Sequence, residues 1–294
     1  MKKNTVHPQA FVEEGAKLGK GVTIEPFAVV RKNVTLGDNV TVKSHAYIDG
    51  YTIIGENTTI WPSAVIGTQT QDLKYKGEKT FVRIGKNCQI RECATINSST
   101  HEGSTVSVGD NCLIMAYCHI AHHCAVGDNV VMSNNSLLAG HVVIEECAII
   151  GGMTPIHQFV RIGKFSMVGG MSRVTHDVPP YTIGGGIPYV LGGINRIGLR
   201  RRNFSFEVRR ALFHAYRLVY RSKLPICEAI ERIEQEVGKF EEVQHFVKFC
   251  RESKRGLIGV RGVHQGIVNK PSGKTDDLTD ASPEDLLVEI GGSR

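Results

Sequence analysis

Residues 118–127 read CHIAHHCAVG, so His119, His122 and His123 fall within five positions. Imidazole titrates near neutral pH and is also the commonest metal ligand, and such a cluster therefore supports several chemistries. One histidine can act as general base toward a hydroxyl. Three can hold zinc, here drawn from His119, His122 or His123 together with His141. The third reading is a set of solvated surface groups. The stretch alone leaves all three open, and the elements that position it must narrow them.

No apolar run in the 294 residues approaches the length of a membrane span. Lys2 and Lys3 resemble the basic start of a signal peptide, but no apolar stretch follows, and the expected location is the cytoplasm. The eight cysteines form no CxxC pair and read as reduced thiols. The net charge of +6 is modest but unevenly placed. Arg196, Arg200, Arg201, Arg202, Arg209 and Arg210 crowd one segment, which favours an anionic partner. Little aromatic residue interleaves with them, which argues against nucleic acid.

The chain is organised by a repeat. From Val6 to Val174 every sixth residue is aliphatic or methionine, broken only at Asp72, Glu78 and Glu102. A second column, four residues after the first, is small or β-branched, as at Ala28, Val40, Ala64, Cys88, Cys112 and Ala148. Glycine often follows the aliphatic directly, as at Gly37, Gly55 and Gly109, and suits corners with positive φ. A period of six fits neither an amphipathic helix nor a hairpin, but it is the mark of a parallel β-helix. The large aliphatics fill the interior beside the small column. The cysteines of that column then read as packing residues.

The pattern resembles the left-handed parallel β-helix of the hexapeptide-repeat acyltransferases. The resemblance implies a trimer and three hexapeptides per coil, so that residues eighteen apart stack. His122 then lies beneath Gly140, and His123 beneath His141. A histidine beside a side-chain-free backbone N–H suits acyl transfer, with imidazole as base and the N–H facing the developing oxyanion.

Residues 72–81 (DLKYKGEKTF) and 97–107 (NSSTHEGSTVS) lose the inward aliphatics and read as loops bulging from the solenoid. After Val178 the repeat stops, and Pro179, Pro180, Gly184–Gly186 and Pro188 read as a turn-rich linker. Val208, Leu212, Tyr216 and Val219 then recur at helical spacing, with further helical stretches near Ile226–Val237 and Glu242–Cys250. The expected layout is a mainly β chain. A β-helix spans 1–183, a linker and small α-helical domain span 184–258, and a disordered tail spans 259–294, with a short helix possible near Pro283–Val288.

A wider set of motifs occurs in order: QDLKYKGE (71–78), IRE (90–92), HIAH (119–122), LAGHV (138–142), IGGM (150–153), HQF (157–159), DVPPY (177–181), GIN (193–195) and GLRRR (198–202). As a set over about residues 6–258 it closely resembles the UDP-N-acetylglucosamine O-acyltransferase family, the enzymes that begin lipid A synthesis. The resemblance implies transfer of an (R)-3-hydroxyacyl chain from acyl carrier protein to the glucosamine 3-hydroxyl of UDP-N-acetylglucosamine, by a homotrimer with sites between subunits. No cofactor or metal is implied. His122 matches the general base and Gly140 the backbone oxyanion donor. Asp72 matches the carboxylate that grips the sugar, with Lys74 beside it. His119, His141, His157 and Gln158 line the same cleft. Asn195, Arg201 and Arg202 match residues holding the nucleotide end from a neighbouring subunit, where arginine's forked donors suit a diphosphate. The arginines also suit docking of an acidic carrier protein. Leu73, Met167 and Gly170 match the acyl groove, and glycine at 170 leaves it open for a long chain.

The chain departs from the family pattern at Pro188 and Ile197, where polar residues are usual, and at His123, where an acidic residue is usual. A carboxylate there would orient the imidazole of His122 and raise its basicity; a histidine does not do the latter. Orientation is expected to fall instead to a backbone carbonyl or to His141. His176 shares the stacking column of His122 but lies three coils away and reads as structural or surface; His7, His45, His101, His214, His245 and His264 offer no constellation. The alternatives are a related hexapeptide N- or O-acyltransferase with another acceptor or a coenzyme A donor, a zinc enzyme on the same scaffold, and a non-catalytic trimeric scaffold.

Overall fold

The computed structural model describes residues 3–260. Short strands, mostly two residues long, stack into three sheets of eleven, eight and eight strands, parallel throughout except for the last strand of the largest. Thr5–Val6 pairs with Thr23–Ile24, and Leu137–Leu138 pairs with Pro155–Ile156, eighteen residues on in each case. The two irregular segments are insertions into this register. Val65–Ile66 pairs with Thr95–Ile96, thirty residues on, and Thr95–Ile96 pairs with His119–Ile120, twenty-four on. Both insertions are whole multiples of six, and the inward aliphatics therefore return in phase after each loop.

The interior is built as the repeat predicts. Ile24, Ile48, Ile66, Ile96, Ile120 and Ile144 are buried, with Val22, Ala28, Ala64 and Ala148 beside them. The small column also carries hydrogen bonds. The thiols of Cys112, Cys118 and Cys124 donate to the carbonyls of Gly127, Ser133 and Ala139 on the next coil, each at 3.1 Å. Ser136 donates likewise to Gly151 at 3.1 Å. The column thus satisfies corner carbonyls that would otherwise be buried and unpaired. Burial pushes the thiols of Cys118 and Cys124 up to about 11 and about 12, away from reactivity.

The corners correct one expectation. Most glycines after the inward aliphatic do not have positive φ; the left-handed position is two residues later, at Asn39, Asn57, His123, His141, Phe159 and their counterparts. The glycines serve close approach instead. A Cβ at Gly37 would lie 2.8 Å from the Glu56 nitrogen, and one at Gly55 2.6 Å from the Gly85 carbonyl carbon.

The three corner columns differ chemically. One is an asparagine ladder, in which Asn39 donates to Asn57 and Asn87 to Asn111, continuing into Cys147, Phe165 and Tyr181. A second carries Phe27, His45, Tyr117, Met153 and Met171. The third carries His123, His141 and Phe159. Asparagine tolerates the left-handed region because its short amide bonds locally.

The segment read as a linker is partly strand. Thr182–Gly185 extends the largest sheet beside Met167–Val168, and Val190–Ile194 returns antiparallel to it. The expected boundary after residue 183 therefore falls inside a strand. The helical region forms as spaced: α1 (Arg196–Arg201), α2 (Phe206–Arg221), α3 (Ile226–Val237) and α4 (Glu241–Glu252). Ser205 caps α2 by accepting from the Val208 N–H. Leu212, Tyr216 and Val219 face the core with Ile230, Ile233, Phe246 and Phe249. Among the described residues no helix is long and apolar enough to cross a membrane. Val260 is buried and bridges to Leu191, so the fold runs two residues past the expected end of the helical domain at 258. The rest of that segment, including the short helix expected at 283–288, lies outside the described residues.

Candidate active site

The histidine corner is where the chemistry gathers. His122 follows Ile120 by two residues, and its imidazole lies over the Cα of Gly140 on the next coil, where a Cβ would overlap the ring. The stacking expected from eighteen-residue spacing thus holds. His122 is buried despite facing out of the coil, because the first loop folds over it. Asp72 Oδ2 comes within 3.3 Å of His122 Nε2. The other oxygen of Asp72 accepts from the Lys74 N–H at 2.9 Å. The interruption at 72–81 therefore delivers a carboxylate to the base.

At this corner position the backbone N–H projects outward. At Lys20, Asp110 and Lys164 it is taken by a carboxylate one coil away. Among the described residues nothing accepts from the Gly140 N–H.

His123 and His141 stack face to face, 4.3 Å between centroids and 7° between planes, and His141 stacks in turn on Phe159 at 4.5 Å. His122 stands edge-on to both. Its Nδ1 lies 3.2 Å from His123 Nδ1. The partner of His122 is thus His123 itself; neither a backbone carbonyl nor His141 takes that place, since the His141 ring is edge-on at 5.1 Å. His101, set aside in the sequence, also belongs here: its Nδ1 is 3.1 Å from His123 Nε2 and 2.9 Å from Thr100 Oγ1. The inserted loop at 97–107 brings it over the corner. The signal that points to it is the second interruption, not any spacing from His123.

Burial lowers the basicity of His119, His122, His123 and His141. It holds His119, His122 and His141 below the ordinary imidazole value. For His122 the charge of Asp72 opposes burial, while Lys74 and His101 add to it. His123 is pushed down to about 4 by burial and by His141, His122 and His101. His123 is therefore neutral near pH 7, and burial favours the neutral form of His122, as a general base requires.

Nitrogens of His122, His123 and His141 all lie within 4.8 Å of one another, so the zinc reading has a geometric basis. Ring lone pairs lie in the ring plane, however. Those of the parallel His123 and His141 run side by side instead of converging, and His122 and His123 already face each other at hydrogen-bond distance. The arrangement favours hydrogen bonding over chelation.

The other predicted residues are placed as follows. His119 lies on the adjoining sheet face, half-buried, with Nδ1 2.7 Å from Thr95 Oγ1. Gln158 occupies the same corner position as Gly140 one coil on, and His157 precedes it; both are exposed. Leu73 projects fully from the loop. Met167 and Gly170 sit on the largest sheet and the corner after it, and both are exposed. Asn195 is buried and caps α1, accepting from Gly198 while donating to the Phe165 carbonyl, so its amide is engaged. Arg202 reaches Cys147 Sγ at 3.2 Å and covers Phe165, and Arg201 is exposed beside it. Within one chain these arginines therefore belong to the asparagine corner, not the histidine corner.

Residues 15–50, 33–68 and 105–140 match the repeat described as bacterial transferase hexapeptide, and residues 177–258 match the second domain of UDP-N-acetylglucosamine O-acyltransferase. Over 253 residues, 86% of this chain, it is 64% identical to acyl-[acyl-carrier-protein]–UDP-N-acetylglucosamine O-acyltransferase of Chlamydia trachomatis serovar L2, covering 90% of that protein. The chain belongs to the UDP-N-acetylglucosamine O-acyltransferase family. The Chlamydia abortus member is 59% identical over 86% of this chain and 91% of its own length. The crystal structure of the family's acyltransferase from Bacteroides fragilis superposes with a TM-score of 0.84 at 40% identity, covering 86% of this chain and all of that one. The coil is accordingly the left-handed β-helix of that family, followed by a small helical domain.

Proposed function

We propose that this chain transfers a 3-hydroxyacyl group from acyl carrier protein to the glucosamine 3-hydroxyl of UDP-N-acetylglucosamine, the first step of lipid A biosynthesis. Kinship with acyltransferases of that name supports the activity and its substrates. The observation that carries the mechanism is the shared space of His122 and Gly140 beside Asp72.

His122 Nε2 takes the proton of the sugar hydroxyl as its oxygen bonds to the thioester carbonyl carbon. The Gly140 N–H faces the oxyanion that forms. The carbon–sulfur bond then breaks, and the carrier's thiolate recovers the proton from His122. Asp72 and Lys74 grip the sugar, and His119, His141, His157 and Gln158 line the cleft. The acyl chain runs past Leu73, Met167 and Gly170. No metal takes part, and the reaction belongs to the cytoplasm, where the carrier protein is.

A nucleotide diphosphate held by Arg201 and Arg202 requires a second copy. The corners of a triangular prism point apart, so one chain cannot bring its asparagine corner to its own histidine corner. A homotrimer joins the two and places the site between subunits, with Asn195 in support. The exposed Leu73, Tyr117, Leu137, Met153, Phe159 and Met171 supply apolar surface for that assembly.

The test incubates purified protein with UDP-N-acetylglucosamine and a chain-length series of 3-hydroxyacyl carrier proteins, and follows the acylated sugar nucleotide by mass spectrometry. The expected product is an alkali-labile ester made only by the trimer. No product from any donor, or an alkali-stable amide, would sink the reading.

A further inference from the structure

The base of this site lacks a carboxylate at its Nδ1 side. His122 Nδ1 meets His123 Nδ1 at 3.2 Å, and His123 Nε2 meets His101 Nδ1 at 3.1 Å. Thr100 Oγ1 lies within reach of both, 2.9 Å from His101 Nδ1 and 3.4 Å from His123 Nδ1. Three imidazoles thus form one hydrogen-bonded chain from the buried base to the exposed His101.

A neutral imidazole has one N–H, so such a chain runs in either of two directions. In the first, His101 donates to His123, His123 donates to His122 Nδ1, and His122 Nε2–H points at Asp72. In the second, His122 Nδ1–H donates to His123, His123 Nε2–H donates to His101, and the lone pair of His122 Nε2 is free. Only the second leaves a base at Nε2. The Asp72 carboxylate, an acceptor, favours the first while it faces His122. A sugar that engages Asp72 removes that preference.

We infer that His123, backed by His101, is the positioning residue of the base: it accepts the Nδ1–H of His122 and so holds His122 in the tautomer whose Nε2 can take the substrate proton. This rests on the acyl-transfer reading above. The role needs a neutral His123, and its surroundings supply one. The groups facing the pair are Asp72 and Lys74 from the first loop, His101 from the second and His141 from the next coil; burial, His141, His122 and His101 keep His123 uncharged near neutral pH, against the opposing charge of Asp72. Once His122 is an imidazolium, its Nδ1–H still finds an acceptor in His123.

His123 also has a plain structural duty, as a left-handed corner residue (φ 56°) stacked on His141, and the test must separate the two. Equivalent corners hold phenylalanine (Phe27, Phe159, Phe165) and asparagine (Asn39, Asn57, Asn87). Both residues therefore fit position 123. His123→Phe keeps the stack and removes the nitrogens. His123→Asn keeps an acceptor oxygen. The experiment measures kcat, KM for UDP-N-acetylglucosamine, the pH dependence of kcat and the melting temperature, in trimeric protein with acyl carrier protein as donor. In His123→Phe the expected result is a fall in kcat of roughly tenfold to a hundredfold, less than the roughly 10²–10⁴-fold contributed by a general base, with KM and melting temperature little changed. His123→Asn recovers most of that loss, and His101→Ala shows a smaller one. His123→Asp moves the acid limb of kcat to higher pH, because a carboxylate stabilises the imidazolium. A His123→Phe enzyme with parental kcat, or an asparagine variant as impaired as the phenylalanine one, overturns the inference. A parental protein that makes no acylated sugar refutes the acyl-transfer reading instead, and the two failures are distinguishable in one assay.

Discussion

Gly140 and His122 occupy one space: the imidazole lies where a side chain at 140 would have to be. A stack of identical coils would ordinarily put Cβ over Cβ at this spacing of about 4.8 Å. Glycine on the upper coil lets the ring below lie flat and buried, and leaves a backbone N–H beside it.

Gly140→Ala should therefore disable the enzyme without unfolding it. The added methyl displaces the ring, and a shift of about 1 Å can cost roughly a hundredfold in rate. The expected result is a fall in kcat of that order, with a melting temperature close to that of the parent. Parental kcat in a folded Ala variant would count against the geometry.

The pH profile follows from the depressed basicity of His122. A base with a lowered pKa stays deprotonated to lower pH, so the acid limb of kcat/KM should lie below the ordinary imidazole value. Lys74→Met removes a lowering charge and should move the limb upward. Asp72→Asn removes the raising charge, moves it further down and also increases KM. Limbs that do not move in opposite directions would falsify the assignment of His122 as the titrating base.

Metal removal separates the general base from a zinc centre. Prolonged dialysis against a chelator should leave turnover unchanged, with no stoichiometric zinc in the untreated protein by elemental analysis. Loss of activity restored by zinc would return the histidine cluster to the chelating reading.

Chain-length selection should answer to position 170. A Cβ at Gly170 meets the Gly152 carbonyl oxygen at 3.2 Å, a tight but tolerable contact, and φ there is not in the left-handed range. Gly170→Met is expected to shift preference toward shorter 3-hydroxyacyl donors in a competition assay. Unchanged selectivity would remove Gly170 from the groove.

The junction of coil and helical domain has its own acid sensitivity. Burial alone would push the Glu145 carboxyl up. His245 at 3.1 Å, the Lys164 N–H at 2.9 Å and Arg161 at 3.3 Å outweigh it and hold the carboxyl below its ordinary value. Arg161 in turn covers the Phe249 ring of α4. With the folded value below the unfolded one, Glu145 adds stability that is fully present above the unfolded value and is lost as pH falls through the folded one. Glu145→Ala should cost about 2–3 kcal/mol at neutral pH by leaving the Lys164 N–H unpaired and Arg161 with only the more distant Glu252, and should flatten the acid limb of the stability curve. Thermal melts between neutral pH and pH 3 provide the measurement.

Periodicity by itself determined much of this protein. An aliphatic every sixth residue fits a coil that turns one corner every six residues, because there one column always faces the interior. The buried cysteines follow from that period; His122 beneath Gly140 and His123 beneath His141 follow once the family resemblance adds three hexapeptides per coil. Two insertions of whole hexapeptides leave the phase intact, which is why the pattern is legible past both loops. The tertiary structure decided what register cannot encode. Asp72 and His101 lie on those loops, and no spacing says where a loop folds back; contact alone put one at Nε2 of His122 and the other at the far end of His123. Glycines that read as positive-φ corners proved to be points of backbone approach, since close stacking is a property of two coils and not of one. The residues read as a linker completed a sheet edge at Thr182–Gly185, because an open strand seeks a partner whatever turn residues flank it. The arginines of α1 lie at a different corner from the base, a separation that sequence order hides and that the three-sided cross-section imposes.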